Sequence, residues 1–452
     1  MISIDLHRKS NLALTYAMIL QSKNVKQLKS LCLTYNFNFC FNALLLFLIS
    51  GFCGCKKEVK VIQEIEEIVS PITGKRNELT LDSIFLYSKQ VYLWNEALPS
   101  YQEFDPRTKY TNIYSEEGSL KKELFDITQL KINPNTQKPY EQLSTFIPKY
   151  SYLVLGRSIL KKTQAGTIAA DNISTQAIIH LDDKTIGYFA LNSFLPLISI
   201  KANLDKIFED FSLNEPKYLI LDLRNNRGGF VETAEYLANL IVSSKLTGKL
   251  MYTEQYNSTL QNGRARILRN QPYLDEIGRP VAYNGRSATM ADVDYTERGN
   301  TYRFNKKGKL ESVTQIYFIV SPTTASASEM LISCLKPYYN IQLVGEKTYG
   351  KPVGFFGINI AQYTVYLSGF LIKNADGWFD YFNGIEPTIY VKGFDNADLG
   401  NPEEICLKTA LSAINGKSKS TPKVDYIITS LKSTWDQSSE VLMENRLKLN
   451  HK

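Results

Sequence analysis

The feature that most constrains the fold is a strand, a turn of small residues and a helix that follow one another directly. Residues 316–320 form an apolar run typical of a buried strand, and 323–328 are small residues that predict a turn. An amphipathic segment, 329–335, and a second short strand, 341–344, come next. This order predicts a serine hydroxyl beside a helix N-terminus, where free backbone N–H groups can hold an oxyanion.

Two residues of this region are candidates for a nucleophile and its base, namely Ser326 and Lys351. They lie 25 residues apart, separated by one predicted helix and one strand, so the chain can bring them together. A lysine acts as a base only when neutral, and an apolar pocket favours its neutral form. The residues around it are largely apolar: Val344, Tyr349, Val353, Phe355 and Phe356. The alternative interpretation is a helix-capping turn and a surface lysine.

The histidines bear on the choice of base. The chain has three, of which His7 lies in a presumed targeting region and His451 is next to last. Only His180 could lie in a core, and it stands in a strand-like run. A serine–lysine pair is therefore favoured, with a Ser–His hydrolase that uses His180 as a weaker alternative.

Short sequence words around the two candidates form a first block. Ser326 begins the word SASE, and Lys351 ends the word TYGK; between them, residues 344–346 read VGE. A second block, LILDLRNNRGG at 219–229, predicts a strand that ends in a glycine-rich loop. Paired glycines at such a position let a backbone N–H approach a ligand closely.

A third block, GIEP, lies at 384–387 and is followed by Thr388. In this order the three blocks resemble the C-terminal processing (tail-specific) peptidase family of serine proteases. In that family an aspartate usually follows the third block. The resemblance covers roughly residues 80–415. It implies an α/β fold with a layered, crotonase-like protease core, a mixed and largely parallel sheet, and a small N-terminal helical domain.

The resemblance also assigns roles. It implies that Ser326 is the nucleophile and Lys351 the base of a serine endopeptidase, with polypeptide substrates and no cofactor. The backbone N–H of Ala327, together with that of Gly228 or Gly229, would hold the oxyanion. Which of the two glycines donates stays open at this stage.

Two departures from the family pattern concern the support of the lysine. Pro337 stands where some members have an aspartate, and Phe355 stands where others have a glutamine. Glu329 and Thr348 match family positions near the site and could support Lys351 instead. A second hypothesis is therefore a catalytically inactive, peptide-binding lipoprotein with the same fold.

The N-terminal region resembles a bacterial lipoprotein signal. Residues 1–54 contain a basic part and an almost wholly apolar run at 37–53, and Cys55 would be the lipidated residue. The rival interpretation is a single N-terminal membrane anchor. Residues 55–79 are polar and read as a tether. We expect an exported protein held at a membrane by a lipid, facing the periplasm or lying at the surface.

The remaining boundaries follow from composition and pattern. We predict an N-terminal helical domain at 80–125, a linker or degenerate PDZ-like region at 126–184, the peptidase core at 185–415 and a C-terminal extension at 416–452. Predicted helices are 80–98, 116–124, 200–211, 231–242 and 398–414. Predicted strands are 150–155, 167–170, 185–191, 218–223, 365–373 and 377–382.

Residues 246–313 are polar and lack a strong period, so they are expected to be either a cover over the active-site cleft or a surface excursion. The formal charge is +7, and outside residues 1–54 it is about +3, which is too small to indicate nucleic-acid binding. No CxxC or HExxH word occurs, so no metal is expected. Cys334 and Cys406 lie on apolar helix faces and are expected to be small core residues.

Overall fold

The computed structural model describes most of the chain after residue 69. The predicted leader, Cys55 and most of the predicted tether lie outside the described residues, as does the predicted strand 167–170. No helix of the described part is both long and apolar enough to cross a membrane. The described residues are 70–111, 115–144, 146–156, 173–275, 278–393, 398–416, 423–428 and 447–450.

Nine α-helices occur in the described ranges. They are α1 (Arg76–Val91), α2 (Tyr101–Phe104), α3 (Pro106–Tyr110), α4 (Glu116–Thr128), α5 (Leu197–Asn214), α6 (Val231–Ile241), α7 (Ser258–Gln261), α8 (Ala327–Leu335) and α9 (Ile405–Asn415).

The same ranges contain 18 strands. They are β1 (Gln142–Ser144), β2 (Ile147–Pro148), β3 (Tyr152–Leu155), β4 (Ile173–Leu181), β5 (Lys184–Leu191), β6 (Tyr218–Asp222), β7 (Leu250–Tyr256), β8 (Ala282–Tyr283), β9 (Arg286–Ser287), β10 (Thr301–Arg303), β11 (Gln315–Val320), β12 (Asn340–Gly345), β13 (Val353–Gly354), β14 (Gly357–Ile360), β15 (Tyr363–Tyr366), β16 (Phe370–Asn374), β17 (Ile389–Tyr390) and β18 (Lys423–Ile428).

A seven-stranded mixed sheet forms the centre, in the order β17-β12-β11-β6-β5-β4-β18. The five strands from β17 to β5 are parallel to one another, whereas β4 pairs antiparallel with both β5 and β18. Continuous apolar runs such as β6 and β11 form its middle, as expected for parallel strands buried on both faces. The predicted α/β fold with a largely parallel sheet is confirmed.

Helices cover the two faces of this sheet because successive strand residues point to opposite sides. In β6, Leu219 and Leu221 pack into one core with helices α5, α6 and α8, whereas Ile220 packs into a second core against α9. Cys334 lies in the first core and Cys406 in the second. Both side chains are buried in these cores, as predicted.

A four-stranded antiparallel sheet, β10-β7-β16-β13, lies outside the central one. Its strand β7 falls inside the polar segment 246–313, which the sequence did not predict to contain a strand. Met251, Tyr252 and Tyr256 of β7 are nearly fully buried, and β7 pairs with β16 over five residues. The segment is therefore partly a built-in element of the fold and not only an excursion.

The N-terminal helices form a small bundle in which α1 contacts α3 and α4. Helix α1 begins at Arg76, four residues before the predicted start, and the carboxylate of Asp82 accepts bonds from Arg107 and from the Tyr101 hydroxyl. The predicted helical region is thus present, and α4 extends four residues beyond its predicted end.

The region predicted as a linker contributes strand β3, which extends the hairpin β14–β15 into a three-stranded sheet. Two other predictions differ in detail. The predicted strand 365–373 is divided between β15 and β16. No strand occurs at 377–382, where the chain is irregular and enters a turn at Phe382. The closing helix begins at Ile405, after irregular chain.

Candidate active site

Three loops meet at one edge of the central sheet because they follow the carboxyl ends of three adjacent parallel strands. Residues 223–229 follow β6, residues 321–326 follow β11, and residues 346–351 follow β12. The Leu223 carbonyl accepts a bond from the Thr324 hydroxyl, at 2.8 Å. Ligand sites in α/β sheets form at this edge.

Ser326 stands at the turn between β11 and α8, directly before the first helical residue. Its backbone has φ 59° and ψ −117°, a conformation that residues other than glycine rarely adopt. The residue has no exposed surface, and its Oγ has no hydrogen-bond partner among the described residues. A strained, unpaired hydroxyl at a helix N-terminus is a common feature of functional sites.

Glu329, three residues further on in α8, connects Ser326 to the loop that carries Lys351. Its Oε2 accepts bonds from the backbone N–H groups of Ser326, at 3.1 Å, and of Lys351, at 2.8 Å. The distance between the backbone nitrogens of Ser326 and Lys351 therefore cannot exceed the combined length of these two hydrogen bonds. Its Oε1 accepts from the Gly350 N–H, at 2.6 Å, and from the Thr348 hydroxyl, at 2.5 Å.

All four groups that contact this carboxylate are donors, as an ionised, acceptor-only side chain requires. Burial raises the pKa of Glu329, and the hydrogen bonds, that of Thr348 foremost, oppose the rise. The Thr348 hydroxyl also accepts from the Ile385 N–H, at 2.7 Å, which ties the GIEP block to the site. A further backbone hydrogen bond runs from the Tyr349 N–H to the Thr324 carbonyl. It joins residues 346–351, the lysine loop, to residues 321–326, the serine turn.

Lys351 is 5% exposed, and its Nζ lies 4.3 Å from the centre of the Phe355 ring. Burial lowers the pKa of Lys351 to about 7, against the opposing charges of Glu141 and Glu329. A large share of this side chain is therefore neutral at neutral pH, which a lysine base requires. Phe355, which replaces a polar residue of the family pattern, is thus part of the apolar surroundings of the amine.

The glycine pair approaches the serine turn closely. A Cβ on Gly228 would lie 2.7 Å from the Cβ of Ser326 and 3.1 Å from the nitrogen of Ala327, so only glycine fits. The Gly228 N–H donates to the Asn226 side chain, at 2.8 Å. By contrast, the N–H groups of Gly229 and Ala327 have no acceptor in the part of the chain that the structure describes.

A buried ion-pair network supports the glycine loop from behind. The Arg224 guanidinium donates to the carboxylates of Asp222 and Glu404, and the Tyr188 hydroxyl also donates to Asp222, at 2.9 Å. Glu404 at the same time caps helix α9 through the Leu407 N–H. The backbone carbonyl of Arg224 accepts from two hydroxyls of the serine turn, so the network fixes both loops.

His180 lies at the other end of the central sheet. It pairs with Thr185 near the start of β5, and the next position, Ile186, is in register with Tyr218 at the start of β6. Because each strand residue advances the chain by about 3.3 Å, the length of the sheet separates this histidine from Ser326. The structure therefore does not bring the residues of a Ser–His site together.

Sequence reasoning missed three residues of the predicted linker that approach the site. The Tyr150 hydroxyl donates to the Gly350 carbonyl, at 2.6 Å, and the Tyr349 hydroxyl donates to the Lys149 carbonyl, at 3.0 Å. Glu141 is fully buried and is the first of the two carboxylates whose charge acts on Lys351. The one sequence feature that could have pointed to these three residues is a glutamate, Glu141, in a region without hydrophobic periodicity.

Comparison with known proteins addresses the family directly. Residues 185–391 match the family model described as peptidase family S41. Two proteins described as probable CtpA-like serine proteases are related. The one from Staphylococcus epidermidis is 21% identical over 59% of this chain and 46% of its own length. The one from Staphylococcus saprophyticus is 23% identical over 41% of this chain and 29% of its own.

The chain thus spans less than half the length of these curated relatives. Among solved structures, a photosystem II D1 C-terminal processing protease is similar, with 14% identity, a TM-score of 0.41, and coverage of 71% of this chain and 94% of that one. Over residues 185–391, which include Ser326 and Lys351, the chain is therefore similar to the peptidases of family S41.

Proposed function

We propose that the protein is a serine endopeptidase that cleaves polypeptides through a Ser326–Lys351 dyad. The observation that carries this proposal is the single carboxylate oxygen of Glu329 that binds the backbone of both residues. It holds an unpaired hydroxyl and a largely neutral amine in the same buried corner. A nucleophile beside a lysine of lowered pKa is the arrangement that serine–lysine chemistry needs.

In the proposed reaction, Ser326 Oγ attacks the peptide carbonyl carbon while its proton passes to the Lys351 Nζ. The carbon–nitrogen bond then breaks, and the same proton passes to the departing amine. Water repeats the sequence on the acyl-enzyme, which restores the hydroxyl and releases the acid. Each proton that Lys351 accepts is thus returned within one half of the cycle.

The negative charge on the attacked oxygen requires two donors beside the serine. We assign the N–H of Ala327 and that of Gly229, because both lack an acceptor among the described residues. Gly228, whose N–H is engaged by Asn226, instead permits close packing of the two loops. The positive end of helix α8 points at the same position and adds to the stabilisation.

Labelling with a fluorophosphonate probe tests the nucleophile. We expect one covalent label on the wild type, none on Ser326→Ala, and a loss of at least about 10³-fold in casein cleavage in that variant. Since Lys351 must be neutral, the labelling rate should fall as the pH drops below about 7. Equal cleavage by wild type and Ser326→Ala would refute the proposal.

Lys149 supplies a matched control for the base. Burial also lowers its pKa, to about 8, but its Nζ donates to the Phe382 carbonyl at 2.6 Å. We expect Lys351→Met to abolish labelling and Lys149→Met to retain most of it. The reverse pattern would assign the base to Lys149.

One observation favours a second function, that of a catalytically silent peptide-binding protein. Ser326 has no exposed surface, so a polypeptide cannot reach it without movement of the surrounding loops. Peptide binding by the wild type without any labelling or cleavage would support this function over the first.

We also propose that the protein is exported and attached to a membrane through lipid on Cys55. The support is the sequence alone: an apolar run, a small residue and a cysteine before a polar segment. Radiolabelled palmitate should be incorporated into the wild type and not into Cys55→Ala. Incorporation into neither, with the wild type still in the membrane fraction, would leave a membrane anchor as the better explanation.

A further inference from the structure

Residues 141–144 and 146–151, which precede β3, form a bracket against the loop that holds Lys351. The Tyr150 hydroxyl binds the Gly350 carbonyl, one residue before the lysine. The bond from the Tyr349 hydroxyl to the Lys149 carbonyl fixes the same two segments to each other. The lysine loop is therefore held from one side by Glu329 and from the other by this bracket.

The carboxylate of Glu141 closes the bracket on itself. Its Oε2 accepts from the backbone N–H of Ser151, at 2.7 Å, and more distantly from that of Tyr150, at 3.3 Å. Its Oε1 accepts from the hydroxyls of Ser151, at 2.9 Å, and Ser368, at 2.8 Å. Glu141 has no exposed surface. Burial raises the pKa of Glu141, and these hydrogen bonds, that of the Ser151 backbone foremost, favour the ionised form against it.

The charges around the lysine are few. Glu141 and Glu329 are the two carboxylates that act on the Lys351 ammonium, and burial of the amine opposes both. Lys149 is a nearby cation, within the field of Glu329. The phenols that face Glu141 or Glu329 have raised pKa values because they are buried, so they are neutral near pH 7: Tyr92, Tyr150, Tyr349 and Tyr381.

We propose that Glu141 is a positioning residue for Lys351, which holds the Tyr150–Ser151 backbone against the lysine loop and supplies a buried negative charge to the amine. In this role it takes the place of the aspartate or glutamine that the family pattern leads one to expect. The inference rests on the proposed function for its catalytic meaning. The electrostatic part of the proposal concerns only the pKa of Lys351, so it can be tested without substrate turnover.

Nuclear magnetic resonance of the protein labelled with ¹³C-lysine measures the titration of Lys351. The Lys351 signal is identified by its absence from Lys351→Arg. We expect its titration midpoint near pH 7 in the wild type. In Glu141→Gln the midpoint should fall by about one pH unit, because a negative charge that favours the ammonium has been removed. An unchanged midpoint in a folded Glu141→Gln protein would overturn the proposal.

Glu123→Gln is the matched control. Glu123 is a second fully buried glutamate, in helix α4, and it has no hydrogen bond to the lysine loop in the described part of the chain. The same substitution there should leave the Lys351 midpoint unchanged. A shift of equal size in both variants would mean that Glu141 has no particular relation to the lysine, and would also refute the proposal.

Tyr150→Phe tests the geometric part and serves if Glu141→Gln does not fold. It removes the bond to the Gly350 carbonyl without a change of charge. We expect fluorophosphonate labelling to slow by about tenfold while the Lys351 midpoint stays the same. An unchanged labelling rate would exclude the bracket from positioning. Absence of labelling in the wild type would instead refute the proposed function and leave the titration result valid.

Discussion

Two buried glutamates, Glu329 in the sheet region and Glu123 in the N-terminal helical region, are equally removed from water but differ in what surrounds them. Neither has any exposed surface, and burial raises the pKa of both. Glu329 accepts four hydrogen bonds, whereas neither oxygen of Glu123 has a partner among the described residues. The residues near Glu123 add to its cost, since Asp82 and Asp126 are like charges.

The difference shows that burial alone does not determine the state of a carboxyl group. A buried charge persists where donors replace its water, and elsewhere the group takes up a proton. Glu329 is therefore a connector between two loops whose donors favour its charged form, whereas the surroundings of Glu123 in the helical bundle favour its protonated form. Only the first arrangement can orient neighbouring backbone groups.

The largest effect is expected for Glu329→Gln. An amide offers one acceptor oxygen in place of two and turns its NH₂ toward groups that are themselves donors. We expect a loss of about 3 kcal/mol in the free energy of unfolding, measured by urea denaturation. The displaced loops should also lower kcat for casein cleavage by about 10²-fold. A variant as stable and active as the wild type would contradict the role given to this carboxylate.

A smaller effect is expected for Thr348→Val, which has nearly the same shape. It removes one donor to Glu329 and leaves the Ile385 N–H without its acceptor. We expect a destabilisation of about 2 kcal/mol in urea. Thr348→Ser, which retains the hydroxyl, should recover most of this loss. If serine and valine were equally destabilising, packing of the methyl group would be the cause instead.

The smallest effect, of opposite sign, is expected for Glu123→Gln. In the folded protein Glu123 holds its proton above the ordinary pKa of 4.5. As the pH rises from that value, the unfolded state loses its proton first and is favoured, so the wild type loses stability until the folded pKa is passed. The variant lacks this loss and should be about 1 kcal/mol more stable than the wild type at pH 8.

Urea denaturation at several pH values checks this prediction, and the two proteins should converge near pH 4.5. A stability difference that is independent of pH would show that Glu123 is already ionised in the folded protein. In that case Glu123 and Glu329 would have the same protonation state and would differ only in their hydrogen-bond partners.

The central sheet could be predicted from the sequence because its strands are short, wholly apolar runs with turns at their ends. Strand β6 was predicted to within one residue. The first two sequence blocks fall at the carboxyl ends of β6, β11 and β12, whereas the third precedes β17. Glu329 and Thr348 could be named as supports, since they lie within the blocks. Parallel pairing then brings Ser326 and Lys351 into one corner without further information.

The remainder depends on contacts between distant parts of the chain that no local pattern records. Strand β7 was missed because three polar residues, 253–255, follow Met251 and Tyr252 in a segment that is polar overall. The approach of Glu141 and Tyr150 to the lysine loop joins positions about two hundred residues apart in sequence, as in the bond from Tyr150 to Gly350. Which glycine N–H is free likewise depends on the side chain of Asn226.

The left-handed backbone of Ser326 has a practical consequence for anyone who tests the proposed function by trying to capture an uncut peptide. Alanine meets the same steric restriction as serine at this position, so an alanine variant preserves the bend that sets the direction of the Cβ. Glycine at the same place would release the restriction and allow the bend to relax. For crystallographic work with bound peptide, alanine is therefore the faithful replacement and glycine the misleading one.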